Sequence, residues 1–321
     1  MSFSRRSFCV ELGAAGAMMA FARAAKAVCP FRVAVINDEI SEDFDHACHV
    51  AAHDFGLDWI ELRGMWKKNI TALDANEIAE SQKILDKYNL HVTDIASPLY
   101  KVDWPGAPIS KNSERRDQFH ADFGFKQQDD LLEHCIGLAK TYKTERIRCF
   151  DFWRLDDVKP YRKAIDNKLR WAAKRCAKDQ LILLLENEMS CNTATGAEAA
   201  ATLKAVPEHN FMLNWDPGNA ATFPDSEPFP KGYDLLPKRR IGHCHAKNVM
   251  RKPEGKWEWA PVGTGVVDWA GQLRALEHDG FHYAVSLETH WRGAGTPEAS
   301  SRISMQGLKE ALAKAGTGCF S

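Results

Sequence analysis

Four short apolar runs each close on a side chain able to hold a metal ion or carry a proton. They are LILLLE (181–186) ending on Glu186, FMLNWD (211–216) on Asp216, IGHCH (241–245) on His245 and YAVSLE (283–288) on Glu288. A run of five or six apolar residues has the length of a buried strand, and a charged group at its end is costly to bury unless another charge or a metal satisfies it. Any one of these residues has an ordinary reading, a glutamate paired with a neighbouring arginine or a satisfied core histidine. Their shared position on four consecutive runs is what unites them.

Three carboxylates and one imidazole form a hard, mostly oxygen ligand set. It suits Mn2+ best, with Mg2+, Fe2+, Co2+ or Zn2+ as alternatives, and is less natural for a thiolate-loving structural zinc. Four protein ligands leave two octahedral positions for adjacent oxygens of a hydroxyketone, whose polarised carbonyl acidifies the neighbouring C–H. Glu186 and Glu288 are then the candidate acid and base, one carboxylate for each face of the substrate.

The elements that must position these groups follow from spacing. The four residues are separated by 30, 29 and 43 positions, and about 30 residues is one strand plus one crossover helix. Four earlier runs extend the series: FRVAVIN (31–37), LDWIELR (57–63), HVTDIAS (91–97) and RIRCFDF (146–152). Helical periodicity lies between them over 42–55, 73–88, 114–139, 160–177, 195–205, 268–278 and 297–315, with a weak stretch at 233–236. Eight alternations in one chain of 321 residues predict a single-domain (β/α)8 TIM barrel, in which all strand C-termini converge on one mouth. Loops at 97–111 and 223–230 are expected to wall or cover that mouth.

Composition excludes several classes. With 26% charged residues and a formal net charge of -1, the chain lacks the basic excess that phosphate backbones require, so no nucleic-acid partner is expected. No apolar span reaches the length of a membrane helix, so no stable membrane association is expected. The N-terminus is a separate object. Twin arginines at Arg5 and Arg6 precede a mildly apolar stretch and the small residues Ala25 and Ala27, the pattern of a twin-arginine export signal over 1–27. The expected mature chain, 28–321, is then a periplasmic protein, a homo-oligomer being possible. In that compartment disulfides persist; Cys29 and Cys319, at the two ends of a barrel chain, are the candidate pair, whereas Cys48, Cys135, Cys149, Cys176 and Cys244 read as buried apolar residues.

Short motifs carry a family likeness. ELR (61–63), LENE (185–188), NWDPGN (214–219), HCHAKN (243–248), GTGVVDW (263–269) and SLETH (286–290) together resemble the sugar phosphate isomerase/epimerase group of xylose isomerase-like barrels. The resemblance implies a divalent metal on Glu186, Asp216, His245 and Glu288, with Glu186 and Glu288 as acid and base. It implies a substrate contact for Lys247, whose ordinary reading is an ion pair with Glu188 or Asp216, and for Arg251, otherwise an exposed loop residue. Asn219 stands where ketose 3-epimerases of the group place a histidine, which leaves the substrate open. Arg154, at the end of the fourth strand, and His243, the first histidine of HCH, complete the expected substrate-binding set.

Three functions fit these readings. The leading one is a metal-dependent isomerase or epimerase of an unphosphorylated keto-sugar or related polyol, working through an enediolate. A lyase or dehydratase acting on a 3-keto-glycoside-like substrate would use the same residues. A non-catalytic sugar-binding module would have no need of paired acids around a metal.

Overall fold

The computed structural model describes residues 29–108, 120–223 and 226–320. The expected export signal, 1–27, lies outside the described residues. Eight strands carry the fold: β1 Arg32–Val35, β2 Trp59–Leu62, β3 His91–Ile95, β4 Arg146–Cys149, β5 Ile182–Glu186, β6 Phe211–Trp215, β7 Ile241–Ala246 and β8 Ala284–Leu287. Each falls inside or one residue beyond its expected run. Neighbouring strands pair in parallel in the order β1-β8-β7-β6-β5-β4-β3-β2. A parallel bridge between Ile36 and Glu61 joins the two ends of that order, giving a nearly closed barrel.

Helices α1 Phe44–His49, α2 Ala75–Tyr88, α3 Gln128–Thr141, α4 Lys159–Ala177, α5 Gly196–Ala205, α6 Pro217–Ala221, α7 Trp269–His278 and α8 Pro297–Ala315 surround the strands. Their starts have local causes. Asp74 and Glu77 form a reciprocal capping box on α2, as do Thr195 and Glu198 on α5, and Asp268 caps α7; each supplies acceptors for amides that a first helical turn leaves unpaired. One continuous apolar core joins strands to helices.

Three helical expectations need correction. The segment 42–55 is α1 followed by a wider π turn over Val50–Asp54. Of the helix expected over 114–139, residues 114–119 lie outside the described residues, and the described helix runs from Gln128 to Thr141, with Gly124 and a 3-10 turn over Phe125–Gln127 before it. Between β6 and β7 the weak helix at 233–236 is reduced to a short helical turn at Tyr233 and Asp234 that continues a π turn over Pro228–Gly232, and α6 lies ahead of it, directly after the strand. Two antiparallel hairpins, Gly64–Met65 with Lys68–Asn69 and Asn248–Arg251 with Trp257–Ala260, were not anticipated. Both follow barrel strands on the mouth side.

Cys29 and Cys319 form a disulfide across 290 residues of sequence. The other described cysteines, Cys191 included, are buried and free.

Candidate active site

Glu186 is the last residue of β5, Asp216 and Glu288 directly follow β6 and β8, and His245 is the fifth residue of β7. The barrel brings them together: each offers a ligand atom, and these atoms lie within 4.8 Å of one another, all buried. His245 Nδ1 stands 3.2 Å from Glu288 Oε2, 3.5 Å from Glu186 Oε1 and 3.8 Å from Asp216 Oδ2.

Second partners orient each group. Asp216 doubles as the N-cap of α6, its Oδ1 accepting from the Asn219 amide at 2.8 Å, which leaves Oδ2 for the site. Glu186 pairs through Oε2 with Arg148 at 3.1 Å and accepts from Asn219 Nδ2 at 3.2 Å. His245 Nε2 lies 3.0 Å from Glu61 Oε1. A carboxylate there favours the proton on Nε2 and leaves Nδ1 as the lone pair facing the acids, the usual arrangement behind a metal-bound histidine. Glu288 Oε1 accepts from Arg63 at 2.7 Å and lies 3.1 Å from His290 Nε2.

The electrostatics describe a pocket short of positive charge. Burial, reinforced by Glu288 and Glu186 and only partly offset by Lys247, pushes Asp216 up to about 7. Burial opposes charge on His245, yet Glu61, Glu186 and Glu288 outweigh it and hold its pKa well above the usual imidazole value. Burial likewise opposes ionisation of Glu186, but His245 and Arg148 draw it down to about 2, while Lys247 and His245 hold Glu288 well below the ordinary carboxylate range. Glu39, Glu61, Glu186, Asp216 and Glu288 are five buried carboxylates against Arg63, Arg148, Lys247 and the charged His245. Moreover, Glu186 Oε1, Asp216 Oδ2 and Glu288 Oε2 all face His245 Nδ1 across the site. Lys247 approaches Asp216 Oδ2 and Glu288 Oε2 at 2.9 and 2.5 Å as an ion pair. A divalent cation on these four residues would satisfy the surplus of buried negative charge.

The expected substrate-binding residues divide. Lys247 and Asn219 are in the site, joined by a 3.0 Å hydrogen bond; Lys247 pairs with Asp216 and Glu288, whereas Glu188 takes Lys101. His243 is also buried, but its Nε2 lies 3.1 Å from Glu61 Oε2 and its ring centre 5.4 Å from that of His245, so it belongs to the layer beneath. Arg154 is turned to Glu198 and the Cys191 carbonyl. Arg251 is exposed on the second hairpin and donates to the Phe223 and Ser226 carbonyls, away from the quartet.

Sequence reasoning overlooked Glu61, Arg148 and Glu39 as parts of the site. A charged residue inside an apolar strand, as in WIEL or RIRC, was the available signal for the first two. Glu39 sits in a 3-10 turn, Asn37–Glu39, and carries no such mark. Trp259 also went unnoticed; it stacks on His290 at 5.2 Å and lies 5.1 Å from the Lys247 ammonium.

The family model of the xylose isomerase-like TIM barrel matches residues 50–311. The chain belongs to that family. No curated protein sequence matches it. Among solved structures it is similar to a xylose isomerase-like TIM barrel protein from Mycobacterium smegmatis in complex with magnesium, at 16% identity over 86% of this chain and 89% of that one, TM-score 0.63. It is similar also to a probable 3-DHS dehydratase, AsbF, involved in petrobactin synthesis in Bacillus anthracis, at 19% identity over 87% and 98%, TM-score 0.63. A third is D-psicose 3-epimerase from Clostridium cellulolyticum H10 with D-tagatose, at 14% identity over 89% and 98%, TM-score 0.60. At these identities the likeness is one of fold.

Proposed function

We propose that this member of the family is a divalent-metal-dependent isomerase or epimerase of an unphosphorylated keto-sugar or related polyol. The observation that carries the reading is the buried quartet of Glu186, Asp216, His245 and Glu288, whose ligand atoms lie within 4.8 Å of one another amid a surplus of negative charge. These four would hold the ion, Mn2+ by the hardness of the donors. When bound, it supplies polarisation of a substrate carbonyl.

The remaining work belongs to side chains. Glu186 and Glu288 stand on different strands with an oxygen each turned toward His245, so one can take a proton from carbon and the other return it. Lys247, buried and fully charged, can donate to a substrate oxygen, and Asn219 fixes its direction. Arg148 and Arg63 steady the outer oxygens of Glu186 and Glu288. Export to the periplasm is part of the proposal and rests on Arg5 and Arg6 with the Cys29–Cys319 bridge.

The test is isotopic. The Mn2+-loaded protein is incubated with unphosphorylated ketoses in D2O while carbon-bound protons are followed by NMR. Deuterium entering beside the carbonyl, without a leaving group, is the expected result; release of an alcohol or water marks the lyase instead. Glu288→Gln should reduce exchange at least about a hundredfold, and unchanged rates would remove Glu288 from the acid–base pair.

A further inference from the structure

Glu288 also belongs to a second cluster. Glu39, Glu288 and His290 offer ligand atoms within 4.8 Å of one another. The two oxygens of Glu288 face different neighbours: Oε2 faces His245 Nδ1, and Oε1 faces His290 Nε2. A carboxylate so placed could serve two ions of the kind that stand about 4 Å apart in two-metal sites. The sequence reading gave no hint of this second set.

A cation already sits there. Arg63 donates from one terminal nitrogen to Glu288 Oε1 at 2.7 Å and from the other to Glu39 Oε1 at 2.8 Å, the same oxygens that a second ion would use. Its Nε reaches both Asp38 oxygens at 3.0 and 3.1 Å, and the side chain is 4% exposed. Glu39 Oε2 is taken by Arg292 and by the His290 amide. His290 holds a positive φ of 46°, an uncommon conformation for a residue with a Cβ, and its ring is stacked on Trp259 with Nε2 3.1 Å from Glu288 Oε1.

We propose that Arg63 is a resident cation standing where a second metal ion would bind, so that this centre is mononuclear and Glu288 presents only Oε2 to its ion. The inference rests on the metal reading of the quartet. A guanidinium is permanently charged and its fork matches carboxylates, so a divalent ion entering here would have to break several buried charge-assisted bonds. A lysine could yield by losing its proton; an arginine does not.

Metal stoichiometry is the readout. Metal-stripped protein is titrated with Mn2+ by calorimetry, with EPR to detect spin-coupled pairs. One ion per chain is expected for the native protein. Arg63→Ser, shown folded by circular dichroism, should take up two with a coupled-pair spectrum, and adding His290→Ala to it should return the count to one. A folded Arg63→Ser that binds a single ion overturns the proposal. If Arg63→Ser does not fold, His290→Ala in the native background decides: an unchanged count of one supports the proposal, and a fall from two to one overturns it. Native protein that binds no ion, with His245→Ala making no difference, would instead defeat the metal reading itself.

Discussion

At the residue scale, the site works through pairs in which one oxygen is anchored and the other is presented. Asp216 spends Oδ1 on the Asn219 amide, and Glu288 spends Oε1 on Arg63. Glu61 goes further and bridges His243 and His245 with its two oxygens. Glu39 offers a clean electrostatic prediction. Burial resists its ionisation, but charges on His290, Arg63 and Arg292 overcome that and bring it from 4.5 to about 2. Burial and the Lys247 charge in turn hold His290 to about 4, so above that pH the two arginines carry the pairing. A depressed acid stabilises the fold above its unfolded pKa and loses that contribution as pH falls through the folded one. In metal-free protein, Glu39→Gln should therefore cost up to about 3 kcal/mol at pH 6, with the gap closing between pH 4.5 and 2. Urea unfolding across that range checks it; a gap independent of pH would show that lost packing, not charge, is responsible.

At the scale of elements, the βα junctions aim the chemistry. The turn from β6 into α6 is the tightest: Pro217 opens the helix and Asp216 caps it. Gly218 then lets the helix approach β7, since a Cβ there would meet Lys247 Cβ at 2.8 Å and its backbone carbon at 3.0 Å. Gly218→Ala should destabilise the protein by about 1–3 kcal/mol and weaken Mn2+ binding, because Lys247 and the capped Asp216 must move together. Thermal unfolding and calorimetric titration measure both. Unchanged values would mean that the junction has slack the structure does not suggest.

At the scale of the molecule, the barrel separates stability from chemistry. The Cys29–Cys319 bridge lies before β1 and after α8, at the strand N-terminal end, opposite the mouth where the quartet converges. Closing so long a loop restricts the unfolded chain, a contribution of at most about 5 kcal/mol. Cys29→Ser should lower the urea midpoint while leaving metal stoichiometry unchanged, and a midpoint identical to that of the oxidised protein would show that the bridge is not formed in solution.

Much of this was legible in the linear chain. Strand-length apolar runs, their repeat of about 30 residues and a metal-seeking residue ending four of them were enough for the barrel, for its eight strands and for the composition of the quartet. Helix starts with a capping signal, such as Thr195 and Asp268, were legible too, whereas the entry to α3 and the turns between β6 and β7 had only weak periodicity. What the tertiary structure alone decided is who faces whom across the barrel. His243 and His245 are two residues apart, both point inward and both meet Glu61, yet the second nitrogen of one faces Asp94 and that of the other faces the acids at the mouth. Arg63 and Arg251 look alike as mouth-side arginines, but one is buried between Glu39 and Glu288 and the other is bonded to surface carbonyls. The physical reason is that alternation along a strand fixes only inward or outward, while depth and partner depend on how eight tilted strands are staggered against one another.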